Sequence, residues 1–364
     1  MTIILFLIIL AILIFVHELG HFISAKIFNI RVDEFAIGFP PRIFSWKKGE
    51  TQYSLNIVPL GGFVKIFGED PNDESLSGPD SKRSFINASK WKQIIVLFSG
   101  VFMNIIFAWI LISISFNLGL ITSIEEQFKD KAQNISVMIL SVLKDSPSYT
   151  AGLKEGDNIL SIESGNIKII SPNISEIQKI ITESENSINI EYKRKNITGI
   201  ANVIAVNNIT AGKKVIGISM SLIGTVKFGF FQSFYEGAKL TYIETINMTK
   251  GIYGFIGSAF SGKNNLLSQI TGPIGIANMV GQASNLGMSY LFGFIAMISI
   301  NLAILNIFPF PALDGGRILF VFIEIIIRRK IKPIIVNYLN LLGFGFLIIL
   351  MLFVTYGDIL RLFH

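Results

Sequence analysis

Residues 1–21 read MTIILFLIILAILIFVHELGH, and this stretch decides the fold. Its first sixteen residues carry no charge and no helix breaker. The apolar run continues past a short polar insertion to about Phe28, enough to span a hydrocarbon core of roughly 30 Å. A secretory leader would show a basic n-region and a small-residue cleavage site, so the absence of both here predicts a retained membrane helix. Similar runs lie at about 94–118, 290–308 and 334–356, giving four spans with both termini on one side.

The composition agrees. Hydrophobic residues make up 51% of the chain and charged residues 15%, against roughly 25% charged in soluble domains. There is no Cys, which excludes disulfides, thiolate metal sites and Cys nucleophiles. Lys and Arg concentrate in the links between spans one and two (Arg31, Arg42, Lys47, Lys48, Lys65, Lys82, Arg83, Lys90, Lys92) and between spans three and four (Arg317, Arg328, Arg329, Lys330, Lys332). By the positive-inside rule both links face the cytoplasm, and the termini and the long 119–289 segment lie outside. The net charge of +6 is thus mainly a topology signal, and no nucleic-acid partner is expected.

The chain divides into a first transmembrane helix with HELGH (1–28) and a cytoplasmic-side segment (29–92). A second transmembrane helix (93–118) precedes an extracytoplasmic α+β domain (119–220) and an amphipathic membrane-adjacent region (221–289). A third helix with LDGG (290–333) and a fourth with the tail (334–364) complete it. Within 29–92, Phe35–Phe67 alternates apolar and polar residues around Gly and Pro, which predicts short strands with a turn near Lys48-Gly49. Its apolar content puts this β-hairpin against or within the membrane. The fold class is an α-helical membrane protein with a membrane-associated β-hairpin and one extracytoplasmic α+β domain.

His17-Glu18-Leu19-Gly20-His21 matches H-E-x-x-H. On a helix, residues four apart share a face, so both imidazoles can reach one Zn²⁺. Glu18, about 100° around, is placed to take a proton from water rather than to bind the metal. Three polar side chains in five residues at membrane depth each cost roughly 2.5–3.5 kcal/mol, and a metal offsets that cost. At 1.5 Å per residue, His17 lies roughly 24 Å along the helix, in the inner half of the bilayer. A catalytic zinc site usually has three protein ligands. The third His, His364, is the last residue and does not fit; Asp314 in NIFPFPALDGG (306–316) fits best, because span three returns there to the depth of His17. Two Pro break that helix and two Gly permit a turn. Glu324 and Asp358 are weaker candidates.

HELGH in the first span together with NIFPFPALDGG after the third resembles the site-2 protease family of intramembrane zinc metalloproteases, on the side of the bacterial regulator-of-sigma-E proteases. GFPPRIFSW at 38–46, PLGGFVKIFGED at 59–70 and TGPIGIA at 271–277 add to the likeness, which covers nearly the whole chain. The resemblance implies His17, His21 and Asp314 as zinc ligands, Glu18 as catalytic base and Asn306 as a substrate-holding residue. It likens the 35–67 hairpin to a re-entrant element that engages extended substrate, and DSPSYTAGLKEGDNILSIESGNI (145–167) to a PDZ core that binds a peptide or substrate tail, or acts as a size filter. It also implies a bacterial inner-membrane location and single-span substrates, such as an anti-sigma factor or signal-peptide remnants. The rival readings are a PDZ-bearing membrane scaffold with a non-catalytic zinc site and an ion transporter. Transport needs polar residues spread through the bilayer depth, whereas here they cluster at one end.

Overall fold

The computed structural model describes residues 2–69, 73–124, 131–184, 186–194, 197–207, 214–260 and 271–363. Two compact units emerge, one formed by 1–114 with 231–364 and the other by 115–230.

In the first unit, among the described residues, four helices are long and apolar enough to cross a membrane: α1 (Thr2–Ile27), α3 (Lys90–Leu118), α8 (Met288–Ile307) and α10 (Pro333–Phe363). A short α2 (Asp73–Ser77) precedes α3. Along α1 the buried residues are Ile9, Leu13, His17, Gly20, His21, Ser24 and Ala25, one stripe at the three-to-four spacing of a helical face. Ile3, Ile4, Ile8, Ile12, Ile23 and Ile27 point outward and are exposed. Such an apolar exterior is what lipid covers. On α8 the buried set is Leu291, Ile295, Ala296, Ser299, Ile300, Ala303 and Ile304. Gly20 meets the Ser99 carbonyl, so a side chain there would collide with the α3 backbone. The two helices touch through small residues, as membrane helices commonly do.

Strands β1 (Val32–Lys48) and β2 (Thr51–Ile66) are joined by the Gly49-Glu50 turn, with Lys48 paired to Thr51 and Gly49 at φ +64°. They are not a simple hairpin. Phe35 pairs with both Val64 and Tyr53, and Ile37 with both Gly62 and Leu55, whereas Ser45 pairs with Ser54. Each long strand therefore acts as two segments, and the small sheet runs in the order 61–66, 32–39, 51–58, 42–48. Gly38, at φ +82°, lies at the bend of β1, a conformation glycine reaches without penalty. The inner half packs Phe35, Val64 and Ile66 into a core with Ala25, Val96 and Leu97. The outer half leaves Phe39, Phe44, Trp46, Leu55 and Ile57 exposed, which suits contact with lipid. Glu50 at the turn accepts from Lys26 Nζ at 2.6 Å and pairs with Arg83 Nη1 at 2.6 Å. The hydrogen bond from Arg83, followed by that from Lys26, outweighs partial burial and holds the Glu50 carboxyl down to about 2.

The second unit is a seven-stranded sheet, formed by β3 (Leu120–Ser123), β4 (Ala132–Val142), β5 (Asn158–Ser164), β6 (Ile167–Ile170), β7 (Ile188–Arg194), β8 (Ile197–Val203) and β11 (Ile218–Val226). The order is β3-β11-β4-β5-β7-β8, with β6 paired to β5. β11 carries the sheet to Val226, beyond the 220 at which the sequence pattern ends the domain. A separate ribbon pairs β9 (Val206–Asn207) with β10 (Lys214–Val215). The unit also contains a short α4 (Pro147–Thr150), capped by Ser146, and α5 (Ile174–Glu183), which starts in a reciprocal Asn173/Glu176 capping box. Ile177, Ile180 and Ile181 of α5 pack on Ile139, Ile159, Ile162, Ile188 and Ile190 of the sheet.

Asp157, fully buried, is held by Arg194 through two 2.7 Å bonds and by the Lys154 backbone N–H at 2.8 Å. Arg194→Ala should leave that carboxylate buried and unpaired and destabilise this unit by about 3–5 kcal/mol. Hydrogen exchange of the β5 and β7 amides in the full-length protein reads this, and unchanged protection would refute it.

The remaining helices are α6 (Phe230–Phe260), α7 (Pro273–Asn285) and α9 (Asp314–Ile327), all described with the first unit.

Candidate metal centre

The α1 helix places His17 and His21 one turn apart on its buried stripe, each 7% exposed. Asp314 is brought to them from 297 residues away in sequence. Its delivery is a matter of local chemistry. Pro309 and Pro311 cannot continue α8, Ala312 takes φ +76°, and the chain turns back into α9. Gly315 and Gly316 lie against the backbone carbonyls of Ile307, Phe308 and Phe310, where no Cβ fits. Leu313, not Asp314, holds the N-cap position of α9, so the Asp314 side chain serves the cluster rather than capping the helix.

His17 Nε2 lies 2.9 Å from Asp314 Oδ2, His21 Nε2 3.3 Å from the same oxygen, and the two Nε2 atoms are 3.2 Å apart. Tetrahedral ligands with bonds of about 2.0–2.1 Å sit roughly 3.3 Å from one another, so the donor set fits zinc in both chemistry and spacing. His21 Nδ1 donates to the Val96 carbonyl at 2.8 Å, which leaves its Nε2 lone pair for a metal. This is the outer-shell arrangement usual for metal-binding histidines. Among the described residues, His17, His21 and Asp314 form the one group of three side chains that could hold a metal ion.

Glu18 points to the sheet, and its Oε2 accepts from the Val64 N–H at 3.0 Å. Val64 pairs with Phe35 across β1, so this N–H belongs to the outer edge of the 61–66 segment. Asn306 at the end of α8 approaches the centre, with Nδ2 3.4 Å from His17 Nε2. A cavity of about 420 Å³ opens beside these groups, lined by Glu18, His21, Val64, Lys65, Asp314 and Arg317. The weaker candidates lie elsewhere. Glu324 pairs with Lys90 and accepts from the Ile331 N–H. Asp358 accepts from the N–H groups of Gly272 and Gly275 at the start of α7. His364 falls outside the described residues, as does Asp70 of the GFVKIFGED motif.

The model of peptidase family M50 matches residues 5–350. The chain belongs to this family. A Clostridium perfringens (strain 13 / Type A) protein named as a presumptive zinc metalloprotease is 36% identical, over 96% of this chain and 95% of its own length. The regulator of sigma-W protease RasP of Bacillus subtilis (strain 168) is 30% identical, over 100% of this chain and 99% of its own. The zinc metalloprotease RasP of Bacillus licheniformis is 28% identical with the same coverage. The site-2 protease assignment made from HELGH and LDGG therefore stands: this M50 protein is a multi-pass, zinc-dependent intramembrane metalloprotease.

The sequence reading missed several groups at this M50 site. Val96 and Val64 act through backbone atoms, which leave no mark in a sequence. Gly100 lies flat against both imidazoles, and an added Cβ would sit 2.5 Å from His21 Nε2 and 2.8 Å from His17 Cε1. Asn104, also on α3, approaches His17 Nδ1 at 3.3 Å. It alone had a legible signal, as an amide in the apolar run VFMNIIFAW, where a polar residue is a functional flag.

Proposed function

We propose that His17, His21 and Asp314 hold the zinc, that Glu18 is the proton-transferring base and that Asn306 holds substrate backbone beside the cut. The observation that carries this reading is the meeting of three donors, all from the two motifs, within zinc-binding distance of one another and next to a carboxylate that none of them uses. When bound, zinc supplies a Lewis acid that makes water nucleophilic near neutral pH and offsets charge on a developing oxyanion. Glu18 Oε takes the proton of the attacking water and returns it to the leaving amine. A helical substrate hides its carbonyls in its own hydrogen bonds, so it must be extended before attack. The outer edge of residues 61–66 offers backbone partners for that extended stretch, in the manner of strand addition, and it lies where Glu18 already contacts Val64. The exposed aromatics of the outer sheet support its placement in the membrane.

The substrates in this reading are single-span membrane proteins, including an anti-sigma factor or signal-peptide remnants. The enzyme sits in the bacterial inner membrane with the site toward the cytoplasmic half and the 119–220 domain outside. We read that domain as PDZ-like from its sequence likeness over 145–167, the stretch that holds α4, the left-handed glycines Gly152 and Gly156, and β5. It binds a peptide tail or excludes bulky substrates.

Purified full-length protein in lipid vesicles, given a panel of single-span substrates, should produce fragments cut inside the apolar span, as read by mass spectrometry. A zinc chelator should abolish the fragments and added zinc restore them. Cleavage that persists after chelation, or falls only in the aqueous segments, refutes the reading.

A further inference from the structure

The face that α3 turns to the metal centre is a stripe at four-residue spacing: Val96, Gly100, Asn104. The first residue supplies the carbonyl that fixes His21, and the second gives both rings room. Asn104, the third, is fully buried. Its Nδ2 is 3.3 Å from His17 Nδ1, its main-chain carbonyl is occupied by Ser299 Oγ at 2.8 Å, and its Oδ1 has no hydrogen-bond partner among the described residues.

The chemistry of His17 decides which of the two amide atoms should face it. An imidazole that gives its Nε2 lone pair to zinc carries its proton on Nδ1, which then must donate. The group facing Nδ1 has to be an acceptor. The oxygen and nitrogen of a carboxamide occupy nearly equivalent positions, and a half-turn about the Cβ–Cγ bond exchanges them. We infer that Asn104 is the positioning residue of the zinc site, accepting the His17 Nδ1 proton through Oδ1 and so fixing the tautomer and orientation of that ring. His17 and His21 would then have matching outer-shell acceptors, a side-chain amide and a main-chain carbonyl, both from α3. This inference rests on the reading of His17 as a zinc ligand.

The test is zinc affinity, measured by chelator competition on the detergent-solubilised full-length protein. Asn104→Leu keeps the volume and removes the acceptor, and should weaken zinc binding about 10–100-fold. Asn104→Asp keeps an acceptor in the same place and should stay within about threefold of the wild type, since the outer-shell bond survives. A role in packing alone would affect both variants alike, so equal losses, or an Asn104→Leu protein that binds zinc as tightly as the wild type, overturn the inference. If Asn104→Leu gives no folded protein by thermal melting, Asn104→Ala, which also removes the acceptor, takes its place: a loss of zinc affinity of about 10–100-fold upholds the role and wild-type affinity overturns it. Wild-type protein that binds no zinc would overturn the site reading itself and this inference with it, whereas zinc held equally by wild type and Asn104→Leu overturns only the role of Asn104.

Discussion

Glu18→Gln protein is expected to keep its full complement of zinc while its proteolytic rate falls by about 10²–10⁴-fold, the usual worth of a positioned general acid–base. Glutamine matches glutamate in size and can still accept the hydrogen bond that Val64 N–H gives to Glu18 at 3.0 Å. What it cannot do is take a proton from water. Glu18 lies around the helix from the His17 and His21 face, and its carboxylate is not among the three clustered donors. Metal analysis alongside cleavage of a reconstituted single-span substrate separates the possibilities. Zinc lost together with activity would make Glu18 a ligand rather than a base, and activity retained would remove it from the chemistry.

Asp314→Asn should do the opposite and empty the site. The Asp314 Oδ2 atom faces both imidazoles, at 2.9 Å and 3.3 Å. The amide preserves shape but withdraws the one anionic donor from a site with two neutral ones. Outer-shell changes at metal sites cost 10–100-fold in affinity, so removal of a charged direct ligand should exceed about 100-fold. The dialysed variant should hold sub-stoichiometric zinc and show background activity, part of which returns when zinc is supplied in excess. Stoichiometric zinc after dialysis would show that the third ligand is another group.

Much of this molecule was legible in its sequence because membrane insertion imposes a coarse rule: an apolar run of the right length becomes a helix. The four spanning helices follow from that rule. HELGH was legible because its spacing is local to one helix, and Asp314 because two prolines and two glycines announce where α8 must stop and turn. The sheet of β1 and β2 was legible only as alternation. That Phe35 pairs on one side with Val64, 29 residues on, and on the other with Tyr53, 18 residues on, depends on contacts between distant segments, for which the local pattern holds no code. The order of the seven-stranded sheet is hidden for the same reason. At the centre itself, the carbonyl of Val96 and the amide of Val64 contribute atoms that every residue has. Their use is decided by how closely α1 can approach α3 at Gly20 and by where the 61–66 edge comes to lie.

The wide separation of the donors along the chain bears on biosynthesis. His17 and His21 are translated near the beginning and Asp314 only 297 residues after His17, so on the ligand set proposed above a growing polypeptide has an incomplete metal site until most of it has been made. An enzyme that severs membrane-embedded chains is thereby inert while it passes through the insertion machinery, in close company with other nascent spans. On that assignment, competence arrives only after the third span has been laid down.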